Sequence, residues 1–271
     1  MNPEKIPVGS QGGTSEEKLS PEELKDRRDF RHEVFGEFRK VLGSERRKEE
    51  KREISENTEG VVILSCDGFK ESKDTDIENP NNPNREDVAR IDFAFQLWKD
   101  LIVRKLNKPL EKITKEDLEG PETPPLILDG IDEQLPYMKE VFKKITEKAG
   151  LEIPQEKIIL IDCGSWEKSD NKEACNTKTQ FTGIVKNPAF GGAKHLTFVS
   201  SNYHVPRVAR TGSANLPEEM DFDTLGVPLE KYQIPLKLFR RIKGVRGEVK
   251  RIEKYSDPEK SDISRYPREK K

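Results

Sequence analysis

Cysteine is scarce in this chain, with Cys66, Cys163 and Cys175 the only three among 271 residues. An odd number without C-x-x-C spacing speaks against a disulfide framework and against a structural zinc site. Long apolar runs are also missing. None approaches the roughly 20 residues needed to cross a bilayer, and the opening stretch MNPEKIPVGSQGG lacks the apolar core of a signal peptide. A reducing, cytoplasmic setting with no membrane span is therefore expected. Three nucleotide and hydrolase motifs are absent as well. There is no G-x-G-x-x-G after the first apolar run, no G-x-x-x-x-G-K-[ST], and no G-x-S-x-G. The usual dinucleotide fingerprint, the P-loop and the standard hydrolase elbow are thereby excluded.

What is plentiful is charge. Charged residues make up 37% of the chain and hydrophobic residues 32%, so the whole length cannot be equally well packed. The formal net charge of −2 argues against nucleic acid as the main partner. From Lys231 to Lys271 there are 14 Lys/Arg against 6 Asp/Glu. That basic end could touch a phosphate-rich surface, but a solvated tail is the expected reading.

The pattern divides the chain into a disordered leader (1–20), a charged amphipathic arm (21–57), an α/β domain (58–255) and a basic tail (256–271). On the arm, Phe30, Val34, Phe38 and Val41 form one apolar stripe. It is expected to pack on its own core, with docking of a protein partner as the alternative. Beyond it, four short apolar runs read as buried strands: Val61 to Leu64, Leu126 to Leu128, Ile158 to Ile161 and Leu196 to Val199. Between the first three lie helical stripes, Val88-Ile91-Phe95-Trp98-Ile102 and Leu135-Met138-Phe142-Ile145-Ala149. Asn84 is the expected cap of the first and Gly150 the stop of the second. A further helix is expected from Thr177 to about Val185. Strand–helix alternation of this kind predicts a mostly parallel sheet with helices on both faces. Past Asn215 the pattern fades, and Tyr232 to Leu238 is the candidate for an edge strand.

Each strand exit carries small polar or acidic residues: Cys66, Asp67 and Gly68; Asp129, Gly130 and then Glu133; Asp162 and then Asn176 and Thr177; Ser200, Ser201, Tyr203 and His204. In a parallel sheet these exits share one edge, where ligands bind. His204 and Arg207 fall on one helix face, and with helix N-terminal amides they would suit an anion. His204 is the candidate general acid or base, and Arg207 and Arg90 the candidate anion holders. The carboxylates Asp67, Asp129 and Glu133 would bind sugar-type hydroxyls, a water or a divalent ion. Cys66 and Ser201 are conceivable nucleophiles, yet neither has a visible activating base. His195 and His32 offer no metal spacing.

From about Val61 to Arg210 the chain resembles the YdcF-like and SanA-like family, a domain of unknown function. The resemblance rests on the first strand and a helix bearing Arg90, on Leu126 to Gly130 with Glu133 and Met138 beyond, on Asn176-Thr177, and on Val199 to Arg207. Two positions depart from the family pattern. Asp129-Gly130-Ile131 stands where Ser-Gly-Gly is usual, and Thr179-Gln180 replaces Glu-Asn, removing a carboxylate. The resemblance implies a Rossmann-like three-layer α/β sandwich. It also implies S-adenosylmethionine as a candidate ligand, from one branch of the family, and a link to cell-envelope maintenance from others. Those envelope branches usually carry an N-terminal membrane segment that is not seen here. Two classes of function follow: a ligand-binding or catalytic α/β protein acting on a small anionic or nucleotide-like molecule, and a non-catalytic interaction protein.

Overall fold

The computed structural model describes residues 20–47, 53–65, 74–79, 81–166, 176–190, 192–228, 238–256 and 262–268. Within them the expected alternation is realised as five parallel strands: β1 (Gly60–Leu64), β2 (Leu126–Gly130), β3 (Ile158–Asp162), β4 (His195–Ser201) and β5 (Asp221–Val227). Their order is β3-β2-β1-β4-β5. β1 and β2 are buried along their whole length, which explains why they read as continuous aliphatic runs rather than alternating ones. Each Val, Ile or Leu so buried contributes about 1.5–3 kcal/mol of hydrophobic stabilisation.

Two layers of helices cover the sheet. On one face α2 (Arg85–Leu106) and α4 (Leu135–Lys148) pack Val88, Ile91, Phe95, Trp98, Met138 and Phe142 against Val61, Ile63 and Leu128. On the other, α5 (Thr177–Lys186) and α6 (Val205–Asn215) bring Phe181, Ile184 and Val208 onto Val62, Leu64, Ile127 and Phe198. A short helix before β2, α3 (Lys115–Glu119), is opened by a capping box between Thr114 and Asp117. The fold is thus an α/β three-layer sandwich of Rossmann type.

The charged arm becomes α1 (Pro21–Arg47), and the basic region supplies α7 (Leu238–Tyr255). Phe30, Val34 and Phe38 are buried with Val249, Ile252 and Ile263 in a third apolar cluster. The arm's stripe is therefore covered within the chain. Arg210 fixes it further, with its Nη1 and Nη2 donating to the two carboxylate oxygens of Glu37 at 2.6 and 2.7 Å.

Several expectations need correction. Asn84 does precede α2, but its side chain makes no capping hydrogen bond to the helix. The tail is no solvated end over residues 262–268. Ile263 is buried, and the Arg268 guanidinium donates to the carbonyls of Ser213, Leu216, Pro217 and Met220 at the end of α6. The fifth strand is β5, upstream of the anticipated Tyr232–Leu238, a stretch outside the described residues apart from Leu238, which starts α7. Cys163, directly after β3, is disulfide-bonded, against the expectation that the three cysteines form no disulfide framework. No helix among the described residues is long and apolar enough to cross a membrane.

Candidate functional site

The register fixes which residues share the carboxyl edge. Leu64 pairs with Asp129, Asp129 with Ile161, and Ile63 with Val199, so Ser200 follows Val199 as Leu64 follows Ile63. Side chains alternate along a strand. Ile127, Leu64, Ile161 and Phe198 all point to the α5/α6 face. Asp129 and Ser200, each two residues beyond one of these, point there too, on either side of β1. Ser201 faces α2 instead. Two polar clusters result, back to back at the ends of the central strands.

The cluster on the α2 side is a closed network. Arg90, almost wholly buried, donates from Nη1 to the Leu64 carbonyl at 2.7 Å, from Nε and Nη2 to Ser201 Oγ at 3.0 and 2.7 Å, and from Nη2 to Glu86 Oε1 at 2.8 Å. The same Glu86 oxygen accepts from Ser201 Oγ and, at 2.6 Å, from the Tyr203 hydroxyl. Burial pushes the Glu86 carboxyl up, but the Arg90 charge and the Ser201 and Tyr203 hydrogen bonds together outweigh it and hold Glu86 below the usual carboxylate range. Glu86 is ionised and Arg90 is its counter-ion. A ligand anion at Arg90 would have to displace that carboxylate.

The cluster on the α5/α6 side is less complete. Gln180, on α5, donates from Nε2 to Ser65 Oγ and to the Asp129 carbonyl, both at 3.3 Å. The Asp129 side chain itself is fully buried, and among the described residues neither carboxylate oxygen has a hydrogen-bond partner. Burial first, and the neighbouring Asp162 charge second, push its carboxyl well above the usual range. Across β1, His204 Nδ1 is 3.0 Å from Ser200 Oγ, while its buried Nε2 has no partner among the described residues. Burial, followed by the charges of Arg207, Arg90 and Arg251, drives the imidazole well below its ordinary value, so it is neutral near pH 7. Arg207 donates from Nε to Glu248 Oε2 at 2.7 Å and from Nη1 to Thr177 Oγ1 at 2.8 Å, and Arg251 reaches the other Glu248 oxygen at 2.6 Å.

Of the residues singled out in the sequence, Asp129, Gly130, Ser200, Ser201, Tyr203, His204, Arg90, Arg207 and Thr177 gather at this edge. Gly130 is tight: a Cβ there would lie 3.2–3.3 Å from Gln134, Met138 and Ser65. Cys66, Asp67 and Gly68 lie outside the described residues. Glu133 is exposed just ahead of α4, and Asn176 acts as a helix cap, its Oδ1 accepting from the Thr179 amide at 3.0 Å. Arg210 is bound to Glu37 and takes no part. The sequence reading missed Glu86 and Glu248, and named Gln180 only as a departure from the family pattern. Glu86 had a signal, lying four residues before Arg90 on one helix; Glu248 is 41 residues from Arg207 in a basic segment and had none.

No group of three potential metal ligands occurs among the described residues. What the site offers is a buried carboxyl and a neutral imidazole on one face. β1 separates Asp129 on β2 from Ser200 on β4, so those two backbones stand roughly 9.6 Å apart, and His204 reaches the face through its contact with Ser200. An orphaned buried polar group costs about 1–3 kcal/mol, and three unpartnered atoms together call for an occupant or water.

Fold and site together define an open, doubly wound α/β protein whose strand order reverses at β1, with polar groups left unsatisfied at that reversal. No protein-family model, no curated protein and no solved structure matches the chain.

Proposed function

We propose that this protein is a YdcF-like small-molecule binder that takes a polar, nucleotide-like ligand at the carboxyl edge of its sheet, beside β1. The observation that carries the reading is the set of buried, unpartnered atoms there: both Asp129 carboxylate oxygens and His204 Nε2. In doubly wound sheets the crevice outside the strand ends at the reversal of order is the general ligand position. Hydroxyls of a sugar-type group would donate to Asp129. A ring nitrogen or a further hydroxyl would pair with His204 Nε2, whose donor or acceptor role follows from the tautomer that Ser200 selects. Arg90 and Arg207 act as supports: neutralised by Glu86 and Glu248, they hold the edge in place without clamping a ligand phosphate or carboxylate. S-adenosylmethionine, which the family resemblance suggests, combines a ribose, an adenine and a carboxylate, and is the first compound to try. His204 would serve as proton acceptor if the ligand is a substrate.

The test is native mass spectrometry of the full chain purified without added cofactor, followed by calorimetric titration with S-adenosylmethionine and with adenosine. Binding that weakens at least tenfold in Asp129→Asn and in His204→Ala, with both variants folded, supports the reading. Equal affinity in wild type and both variants, or no binding of any co-purified or added nucleoside, overturns it.

A further inference from the structure

A cavity of about 600 Å³ lies away from the strand ends, between α2 and α4. Its lining mixes an apolar strip, Val88 and Ala89 of α2 and Ile145 of α4, with charged and polar side chains, among them Arg85, Glu78, Asp92 and Lys99. Arg85 is the first residue of α2 and only 7% exposed. Its Nη1 donates to the Ile77 carbonyl, whereas its buried Nε has no partner among the described residues. Among the described residues no carboxylate is paired with it. Of the two acids lining the cavity, Glu78 forms an ion pair with Lys148 and Asp92 accepts from Gln96 at 3.3 Å. Lys99 adds a further positive charge, its ammonium 5.1 Å from the centre of the Phe95 ring.

A buried guanidinium without a counter-ion is costly. Arginine also presents two parallel N–H groups along one edge, which match the paired oxygens of a carboxylate or phosphate. With Nη1 engaged, the Nε edge of Arg85 is the unused fork. An apolar strip beside such a fork, in an otherwise charged cavity of ligand size, defines the chemistry of its occupant. We infer that the α2/α4 cavity is a binding site for a small oxyanion with an apolar body, a carboxylate or phosphate monoester whose head sits on Arg85 and whose chain lies along Val88, Ala89 and Ile145. The site is independent of the one beside β1.

Saturation-transfer NMR on the full chain reads this directly, with hexanoate and hexyl phosphate as probes and hexanol as the uncharged control. Either anionic probe should bind while hexanol does not, and which of the two binds more tightly identifies the head group. Arg85→Gln should weaken binding at least tenfold. Ala149→Trp should do the same by filling the mouth of the cavity from an exposed position, and it keeps the test valid should the arginine variant fold poorly. Asp129→Asn should leave binding unchanged. Hexanol binding as well as the anions, neither anion binding, or anion binding that persists in Ala149→Trp overturns the inference.

Discussion

Asp129 and Asp162 stand at the ends of neighbouring strands, one residue apart in register, and only Asp129 is completely buried. The two carboxyls therefore differ in kind. Asp162 Oδ1 accepts from the Gly164 amide at 2.9 Å, while Asp129 has nothing to offset its desolvation. An acid whose folded value is raised gives stability that is fully present below its unfolded value, near 3.8, and lost as the pH rises through the folded value. Asp129→Asn keeps the shape and removes the ionisation. The variant should be more stable than wild type at pH 7 by about 1–3 kcal/mol, or a few degrees in Tm. The difference should shrink toward zero as the pH approaches 4. Thermal melts across pH 4–8 check this, and a variant that is less stable at pH 7 would show that Asp129 has a partner in solution.

His204 gives the opposite slope. Its folded value lies well below the ordinary 6.5, so between the two the unfolded chain binds a proton that the folded one refuses. Stability is present above 6.5 and is lost as the pH falls through the folded value. His204→Gln, which keeps a side chain able to bond Ser200, should flatten the melting curve between pH 6.5 and 5 without changing Tm at pH 8. An unaltered acid limb in the variant would place the pH sensitivity elsewhere.

These two residues were among the most legible in the sequence, and the reason is structural. β1, β2 and β4 are covered on both faces, so their aliphatic runs stood out and their polar exits could be counted from the last apolar residue. β5, bonded only to β4, escaped for its composition and not for its place at the edge, since the other edge strand, β3, carries a legible aliphatic run. The β5 sequence sets Asp221 and Asp223 around Phe222 and ends in Gly226-Val227, without an aliphatic run. The state of charge at the site was the hidden part. Arg90 and Arg207 looked like free anion holders, but Glu86 and Glu248 neutralise them, and the second pairing depends on how α7 returns to the turn at Asn202–His204. Local spacing carries no trace of that return.

The arm offers a third prediction. Arg210 is fully buried, with Glu37 bonded to both terminal nitrogens and the Arg265 carbonyl to Nε at 3.0 Å. Glu37→Ala leaves that guanidinium without its counter-ion. Breaking a buried pair from one side costs about 3–5 kcal/mol, and the lower end applies because Glu37 is 26% exposed. Urea denaturation should show this loss, and limited proteolysis should cut α1 sooner. Joining Glu37→Leu to Arg210→Met should recover most of the stability, since apolar replacement of both partners removes the stranded charge. If the double variant is as unstable as the single one, the pair sets the geometry of α1 and is more than a compensated charge.

Gly226 couples an edge strand to the site. A Cβ at this position would lie 1.7 Å from Asn202 Oδ1 and 2.7 Å from the Asn202 Cα, a backbone approach that no rotamer change relieves. Asn202 begins the turn that carries His204 into α6, so the space glycine leaves is what lets this turn sit down on β5. Gly226→Ala must push either the turn or the strand outward. Overpacking of this kind costs about 1–3 kcal/mol, and here the displaced segment holds His204 against Ser200. The variant should lose stability and also at least tenfold in ligand affinity, although residue 226 has no side chain to touch a ligand. Gly212→Ala serves as the control. A Cβ there would meet Phe222 at 2.8 Å and Phe181 at 3.0 Å, so it strains the α6/β5 packing without pressing on the turn. If Gly212→Ala loses as much affinity as Gly226→Ala, loss of stability alone explains both. If only Gly226→Ala binds poorly, the placement of the Asn202–His204 turn controls the site.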